Sequence, residues 1–159
     1  MTERSPTIFN LKEKAEHIPT LATWHHEEWS YLNPGGSVEK RIEKMQNYLF
    51  DESVPNMFVW VEENHVIGSA GILACDMDTK PEFTPWLASV YVKPDRRNEG
   101  IGAALVKKVI QHAKALGHGE IFLFTPSKED FYKAIGWKTI SKEEYRGELV
   151  TVMKIGLID

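Results

Sequence analysis

At 159 residues, with 42% hydrophobic and 26% charged side chains, the chain is long enough to bury one real core and has an ordinary globular composition. Its formal net charge of −4 excludes the global basic field of a nucleic-acid binder, while a mildly acidic surface remains compatible with a cationic substrate. Cys75 is the single cysteine, so no internal disulfide can form; the N-terminal stretch lacks the apolar run of a signal peptide, and no segment is apolar over bilayer-spanning length. A cytoplasmic protein without a membrane partner is expected, and with no repeat or dividing linker, residues 1–159 read as a single domain.

In chain order, residues 7–11 read as a short first strand, and Pro19 suits the first turn of a helix carrying Leu21, Trp24, His25, Glu28, Trp29 and Leu32 at helical spacing. Residues 33–36 break the chain, and Ser37 caps a second helix with Val38, Ile42, Met45 and Leu49 inward. Residues 57–61 and 66–73 form a predicted antiparallel hairpin, followed by a polar connection with Asp76, Asp78 and Glu82. A strand over 86–92 is expected to put Trp86, Ala88, Val90 and Val92 on one face. The next helix has Ile101, Leu105, Val106, Val109, Ile110, Ala113 and Leu116 as its apolar stripe and ends at Gly117. Residues 121–124 form a buried strand, Ser127 and Asp130 a capping-box-like start to a short helix before Gly136, residues 137–140 and 149–155 two strands, and residues 141–147 a solvated charged stretch.

Between the fourth strand and the long helix lies Arg97-x-x-Gly100-x-Gly102. A strand-to-helix loop of this kind suits an anion, because the first helix amides lack intrahelical partners and carry the positive end of the helix dipole. Glycines admit a ligand to those amides, Arg96 and Arg97 add charge, and a diphosphate is the natural guest. A Rossmann loop would want Gly or Ala where Leu105 stands, and a P-loop would end in Gly-Lys-Ser/Thr, which is absent.

The run from Arg96 to Leu105 resembles the R/Q-x-x-G-x-G/A signature of the GNAT N-acetyltransferases, and residues 131–137, Phe-Tyr-Lys-Ala-Ile-Gly-Trp, resemble the family's second signature. The likeness implies an α/β (α+β) fold with a mixed central sheet of six to seven strands flanked by about four helices. It implies acetyl-CoA as co-substrate, with the backbone of Val90, Tyr91 and Val92 along the pantetheine arm. Loop residues Arg97, Asn98, Glu99, Gly100, Ile101, Gly102 and Ala103 would hold the diphosphate through N–H groups, with the acidic Glu99 turned to solvent. The first two helices would form one wall of the acceptor site. A homodimer is left open, since no dimer signature is visible.

Tyr132 of the second signature is the expected catalytic acid, protonating the departing CoA thiolate, although an aromatic there would also pack well. Some family members use a fourth-strand glutamate as base, but that position falls near Trp86, which cannot serve. Glu82, Asp76, Asp78, His25, His26, Glu28 or water are the substitutes left open. Adjacent His25 and His26 point in different directions on a helix, and no metal site is expected. Trp24, Trp29 or Trp86 could line an acceptor pocket. The expected activity is transfer of acetyl from acetyl-CoA to a primary amine in a ternary complex, a fourth-strand N–H near Val90 polarising the carbonyl. A small or exposed amine is favoured, and the rival reading is a CoA-binding regulatory module without transfer.

Overall fold

Two apolar runs joined by a two-residue turn organise the sheet. Asn56–Glu62 (β2) and His65–Leu73 (β3) pair antiparallel, and Glu63 and Asn64 close the hairpin with positive φ of 50° and 65°. The computed structural model describes residues 7–50 and 53–157. Around the hairpin stand β1 (Ile8–Asn10), β4 (Trp86–Val92), β5 (Glu120–Thr125), β6 (Lys138–Tyr145) and β7 (Glu148–Gly156), in the sheet order β1-β2-β3-β4-β5-β7-β6. The helices are α1 (Ile18–Trp29), α2 (Val38–Met45), α3 (Ile101–Ala115) and α4 (Glu129–Ala134). The element order matches the sequence reading, and the sheet is mixed because β4 and β5 run parallel.

Side-chain alternation divides the core between the two sheet faces. Phe58 of β2 joins Ile101, Leu105, Val106, Val109 and Ala113 of α3 on one face. Its neighbours Met57, Val59 and Val61 join Leu21 and Ala22 of α1 and Met45 of α2 on the other. Ser37 caps α2 as expected, its hydroxyl accepting from the Lys40 amide.

The fourth strand departs from the expected alternation. Ala88 faces Gly71 and Tyr91 faces Ser69, so two residues of β4 oppose one of β3, and Ser89 sits at a left-handed φ of 55°. This bulge flips the strand halfway along. Trp86 points into a cluster with Met77 and Phe122, while Val90 and Val92 pack towards α3. The expected single face for Trp86, Ala88, Val90 and Val92 is therefore wrong. Past the Trp86–Phe122 pair no further β4–β5 pairing forms, and the strands part.

Two further expectations are corrected. Ser127 does not cap α4; the Thr125 hydroxyl accepts from the Ser127 and Lys128 amides, and the helix begins after Lys128. The strand expected over 137–140 continues through the charged stretch, which is largely solvated as read: β6 runs to Tyr145, and Arg146 and Gly147 make the turn. A sheet-edge strand tolerates this much charge, and Lys142 and Glu143 pair with Glu129 and Lys80.

The seam behind the bulge is tight. A Cβ on Gly68 would lie 2.6 Å from the backbone oxygen of Tyr91. Gly68→Ala is expected to destabilise the fold by about 1–3 kcal/mol in urea denaturation, because a backbone must move. Gly156→Ala, whose Cβ meets nothing within 4 Å, is expected to stay within about 0.5 kcal/mol of the parent.

Candidate active site

Where β4 and β5 part, a cleft of about 650 Å³ opens. It runs from the N-terminus of α3, past the bulge, to a chamber between α1, α2 and the β3–β4 connection. Of the predicted cofactor residues, Val90, Tyr91, Val92, Arg97, Asn98, Gly100, Ile101, Gly102 and Ala103 line it.

At the α3 end, Gly100 is the N-cap with φ 83°, and no side chain caps the helix. Only a residue at ease in the left-handed region suits that position. The opening amides of the 15-residue helix are thus left for a ligand, with its dipole behind them. A Cβ on Gly102 would meet only Phe131 and Val92 side chains at 3.6 Å, so the wall here is closed by apolar groups rather than by backbone.

The arginine pair divides its work. Arg96 grips Glu62 with both terminal nitrogens at 3.2 and 3.1 Å, and its Nε donates to Glu99 at 3.0 Å. Its charge is spent on two carboxylates, so only Arg97 of the pair remains to add field at the helix end. Glu99 lies outside the cleft lining and is exposed, as expected, and it also pairs with Arg96. Arg97 donates from Nε to the Val92 carbonyl at 2.8 Å and lies over the Tyr91 ring at 5.5 Å. Lys128 of the β5–α4 junction also lines the cleft.

Tyr132 stands in α4, 8% exposed, its ring set edge-on to Phe131 and Trp137 at 4.9 and 5.9 Å. Its hydroxyl has no hydrogen-bond partner among the described residues, and the residue lines the cleft. Burial raises the phenol above its ordinary pKa, so it stays protonated at neutral pH. Opposite, Trp24 stacks on Tyr91 at 5.4 Å and Trp29 meets it edge-on at 6.2 Å. Trp86 is fully buried, its indole N–H donating to the Phe83 carbonyl, and lines no part of the cleft.

The candidate bases separate by placement. His25 is buried and its Nε2 lies 2.9 Å from Ser69 Oγ. The Ser69 hydroxyl donates onward to the Ser89 carbonyl at 2.8 Å, so His25 must donate from Nε2. Burial, and then the Arg41 charge, push its pKa well down, and it is a neutral strut for the bulge. His26 and Glu82 are not in the cleft lining, whereas Glu28, Asp76 and Asp78 are. Asp78 is tied to Arg146 at 3.4 Å. Asp76 is half-buried and has no cation within 4.0 Å among the described residues. Burial pushes its carboxyl up to about 6, against the fields of Lys44, Arg41 and Arg146.

Sequence reasoning missed Arg41 and Ser89. Arg41 of α2 is half-buried in the chamber and donates from Nη2 to Ser89 Oγ at 3.2 Å. Burial pushes its pKa down. Its signal was faint: an arginine beside Ile42 on an amphipathic helix reads as a flank of the polar face. Among the described residues there is no group of three or more metal-ligating side chains, and no helix is long and apolar enough to cross a membrane.

Known proteins resemble this chain in sequence and in fold. The model of the acetyltransferase (GNAT) family matches residues 18–137. Human N-acetyltransferase 8 is 34% identical over 85 residues, covering 50% of this chain and 37% of that protein. An uncharacterized N-acetyltransferase of Methanocaldococcus jannaschii is 33% identical over 94 residues, covering 54% and 40%. The chain spans well under half the length of the curated relatives it matches. Among solved structures, an aminoglycoside 6'-N-acetyltransferase complexed with coenzyme A superposes with TM-score 0.75 at 14% identity, over 97% of this chain and 98% of that one. A phosphinothricin acetyltransferase from Sinorhizobium meliloti in complex with AcCoA superposes with TM-score 0.72 at 20% identity, over 94% and 87%. The structural likenesses speak for the fold. With the match of the family model over most of the chain, the parted β4 and β5 and the uncapped α3 have their explanation: the chain belongs to the acetyltransferase (GNAT) family.

Proposed function

We propose that this chain is an acetyl-CoA-dependent N-acetyltransferase that acts as one domain on a primary amine. The observation that carries the reading is the continuity of the cleft. One groove joins the uncapped amides of α3, the parted strands, the Tyr132 hydroxyl and a chamber lined by charged side chains. Coenzyme A bound in the neighbours' structures supports acetyl-CoA as the occupant of the groove.

In this reading the diphosphate rests on the amides of Ile101, Gly102 and Ala103, with Arg97 and Lys128 beside it. The pantetheine arm lies along Val90 to Val92, whose ladder groups β5 leaves unpaired. The amine nitrogen attacks the thioester carbonyl, the oxyanion takes an N–H near Val90, and the carbon–sulfur bond breaks. Tyr132 gives its proton to the leaving thiolate, and the proton lost by the amine passes to Asp76, directly or through water. The products are an amide and the CoA thiol. The single, exposed Cys75 suits a cytoplasmic setting.

Trp86 in place of a strand carboxylate favours the rival reading, a CoA-binding module without transfer. Asp76 opening on the same chamber supports transfer instead. The test is thiol release from acetyl-CoA across amino acids, polyamines, aminoglycosides and short peptides. Acceptor-dependent release supports the enzyme, and tight acetyl-CoA binding with no release under any acceptor supports the module.

The Asp76 role carries a pH signature of its own. Turnover is expected to rise through about pH 6 as the carboxyl ionises, and Asp76→Asn to lose that limb with a fall of about 100-fold. Stability runs the other way. The folded pKa is raised from 3.8, so the native state holds a proton that the unfolded chain has released. That stabilisation is full below about pH 3.8 and is lost as pH rises to about 6. At pH 8 Asp76→Asn is therefore expected to be more stable than the parent by about 1–3 kcal/mol in urea denaturation. Equal stability at pH 8 would show that the carboxylate is not strained by burial.

A further inference from the structure

Within the acetyl-transfer reading, on which this inference rests, we propose that the acceptor is a free α-amino acid whose carboxylate sits on Arg41 and whose amino group faces Asp76. Arg41 is the guanidinium in the chamber whose planar fork is open. Arg146 is already engaged with Asp78, the Leu32 carbonyl and Asn33. Towards the cofactor end, Arg96 is held by Glu62 and Glu99 and Arg97 by the Val92 carbonyl. Arg41 makes one hydrogen bond, to the neutral hydroxyl of Ser89, and has no carboxylate within 4.0 Å among the described residues. A half-buried guanidinium without an anion is poorly compensated, and its five donors match a carboxylate two at a time.

Asp76 is the complementary half. Like Glu28, it is a chamber carboxylate without a cation at contact distance among the described residues, and it is close enough to Arg41 for each to feel the other's field. An open cation and an open anion in one chamber fit a zwitterion. The chamber's charges weigh against a polycation: Arg41, Lys44 and Arg146 balance Glu28, Asp76 and Asp78. A polyamine or aminoglycoside would meet as much repulsion as attraction there, which narrows the substrate class that a mildly acidic surface left open.

The position of Arg41 beside Ser89 favours an acceptor whose two groups stand close together. Its guanidinium touches Ser89, the bulge residue next to Val90, where the acetyl carbonyl is expected. A carboxylate on Arg41 is thus already beside the transfer point. Its molecule can present an amine to the acetyl group when the two are separated by a single carbon. A lysine side chain or a peptide N-terminus has no carboxylate at that distance.

The test compares thiol release from acetyl-CoA with each of several L-amino acids, the matching primary amides and the amines lacking the carboxylate. For the preferred acid, kcat/KM is expected to exceed that of its amide by about 100-fold or more. Arg41→Gln should collapse that ratio to within about threefold, and Arg41→Lys, which keeps the charge but loses the fork, should recover part of it. A wild-type protein that uses amide or amine as readily as the acid overturns the inference, whether or not the variants fold. So does an Arg41→Gln protein that keeps the preference. If acetyl-CoA binds in calorimetry and no α-amino acid is accepted, this inference falls alone. If acetyl-CoA does not bind, the acetyl-transfer reading falls with it.

Discussion

Replacing Tyr132 by phenylalanine is expected to lower turnover by about 100-fold or more while acetyl-CoA affinity stays within about threefold. The ring is what packs: it meets Phe131 and Trp137 edge-on, and phenylalanine keeps both contacts. The hydroxyl has no partner among the described residues, so its loss orphans nothing in the fold. A merely structural tyrosine would show itself in the melting temperature and in KM, whereas an acid acting on the leaving thiolate shows itself in kcat. Burial holds the phenol above its ordinary pKa of 10.0, so ionisation of Tyr132 should not limit the rate below that pH. Unchanged turnover, in a variant whose chemical step is rate-limiting by single-turnover kinetics, would remove Tyr132 from the reaction.

The second large effect is expected at the other end of the cleft. Gly102→Glu should weaken acetyl-CoA binding in calorimetry by at least about 100-fold. The first atoms of any side chain at 102 meet Phe131 and Val92 at an ordinary 3.6 Å, so the fold itself can accept a Cβ there. A carboxylate beyond it would stand where the diphosphate is expected, adding like charge to lost space. Gly102→Ala separates the two causes, since it adds a methyl without charge, and it is expected to weaken binding by about tenfold or less. Parental affinity in Gly102→Glu would mean that the α3 amides do not hold the cofactor.

What the sequence disclosed followed from local rules. The α3 stripe, the Gly100–Gly102 entrance and the hairpin closed at Glu63–Asn64 each obey a spacing or a turn chemistry that a few adjacent residues determine. The order of elements followed from the same signals. Apart from the Ser127 cap, which the neighbouring Thr125 displaces, the misreadings involve pairing across the chain. Ser89 adopts a left-handed φ because β4 must fit one residue too many against β3, and nothing in Ser89 itself announces it. Arg96 was expected to add charge beside the loop until folding brought Glu62, 34 residues away, against it. The charged residues of β6 read as a solvated stretch outside the strands because periodicity cannot see that a sheet edge tolerates lysine and glutamate. Arg41 drew no reading from the sequence, because only the packing of α2 over the bulge turns it into the chamber.

The same pairing explains why the site works as a unit. His25 steadies Ser69, Ser69 holds the Ser89 carbonyl, and the bulge so fixed opens the gap between β4 and β5. The proposed cofactor groove and acceptor chamber meet at Ser89, with Arg41 on its hydroxyl.

The most direct measurement of the central claim is the stoichiometry of thiol released to N-acetyl product formed, followed together with the best α-amino acid. One amide for each thiol, with release negligible when the acceptor is left out, is the expected result. Thiol release that continues without acceptor, or that outruns amide formation, would contradict it, because the acetyl group would then be passing to water and not to the amine.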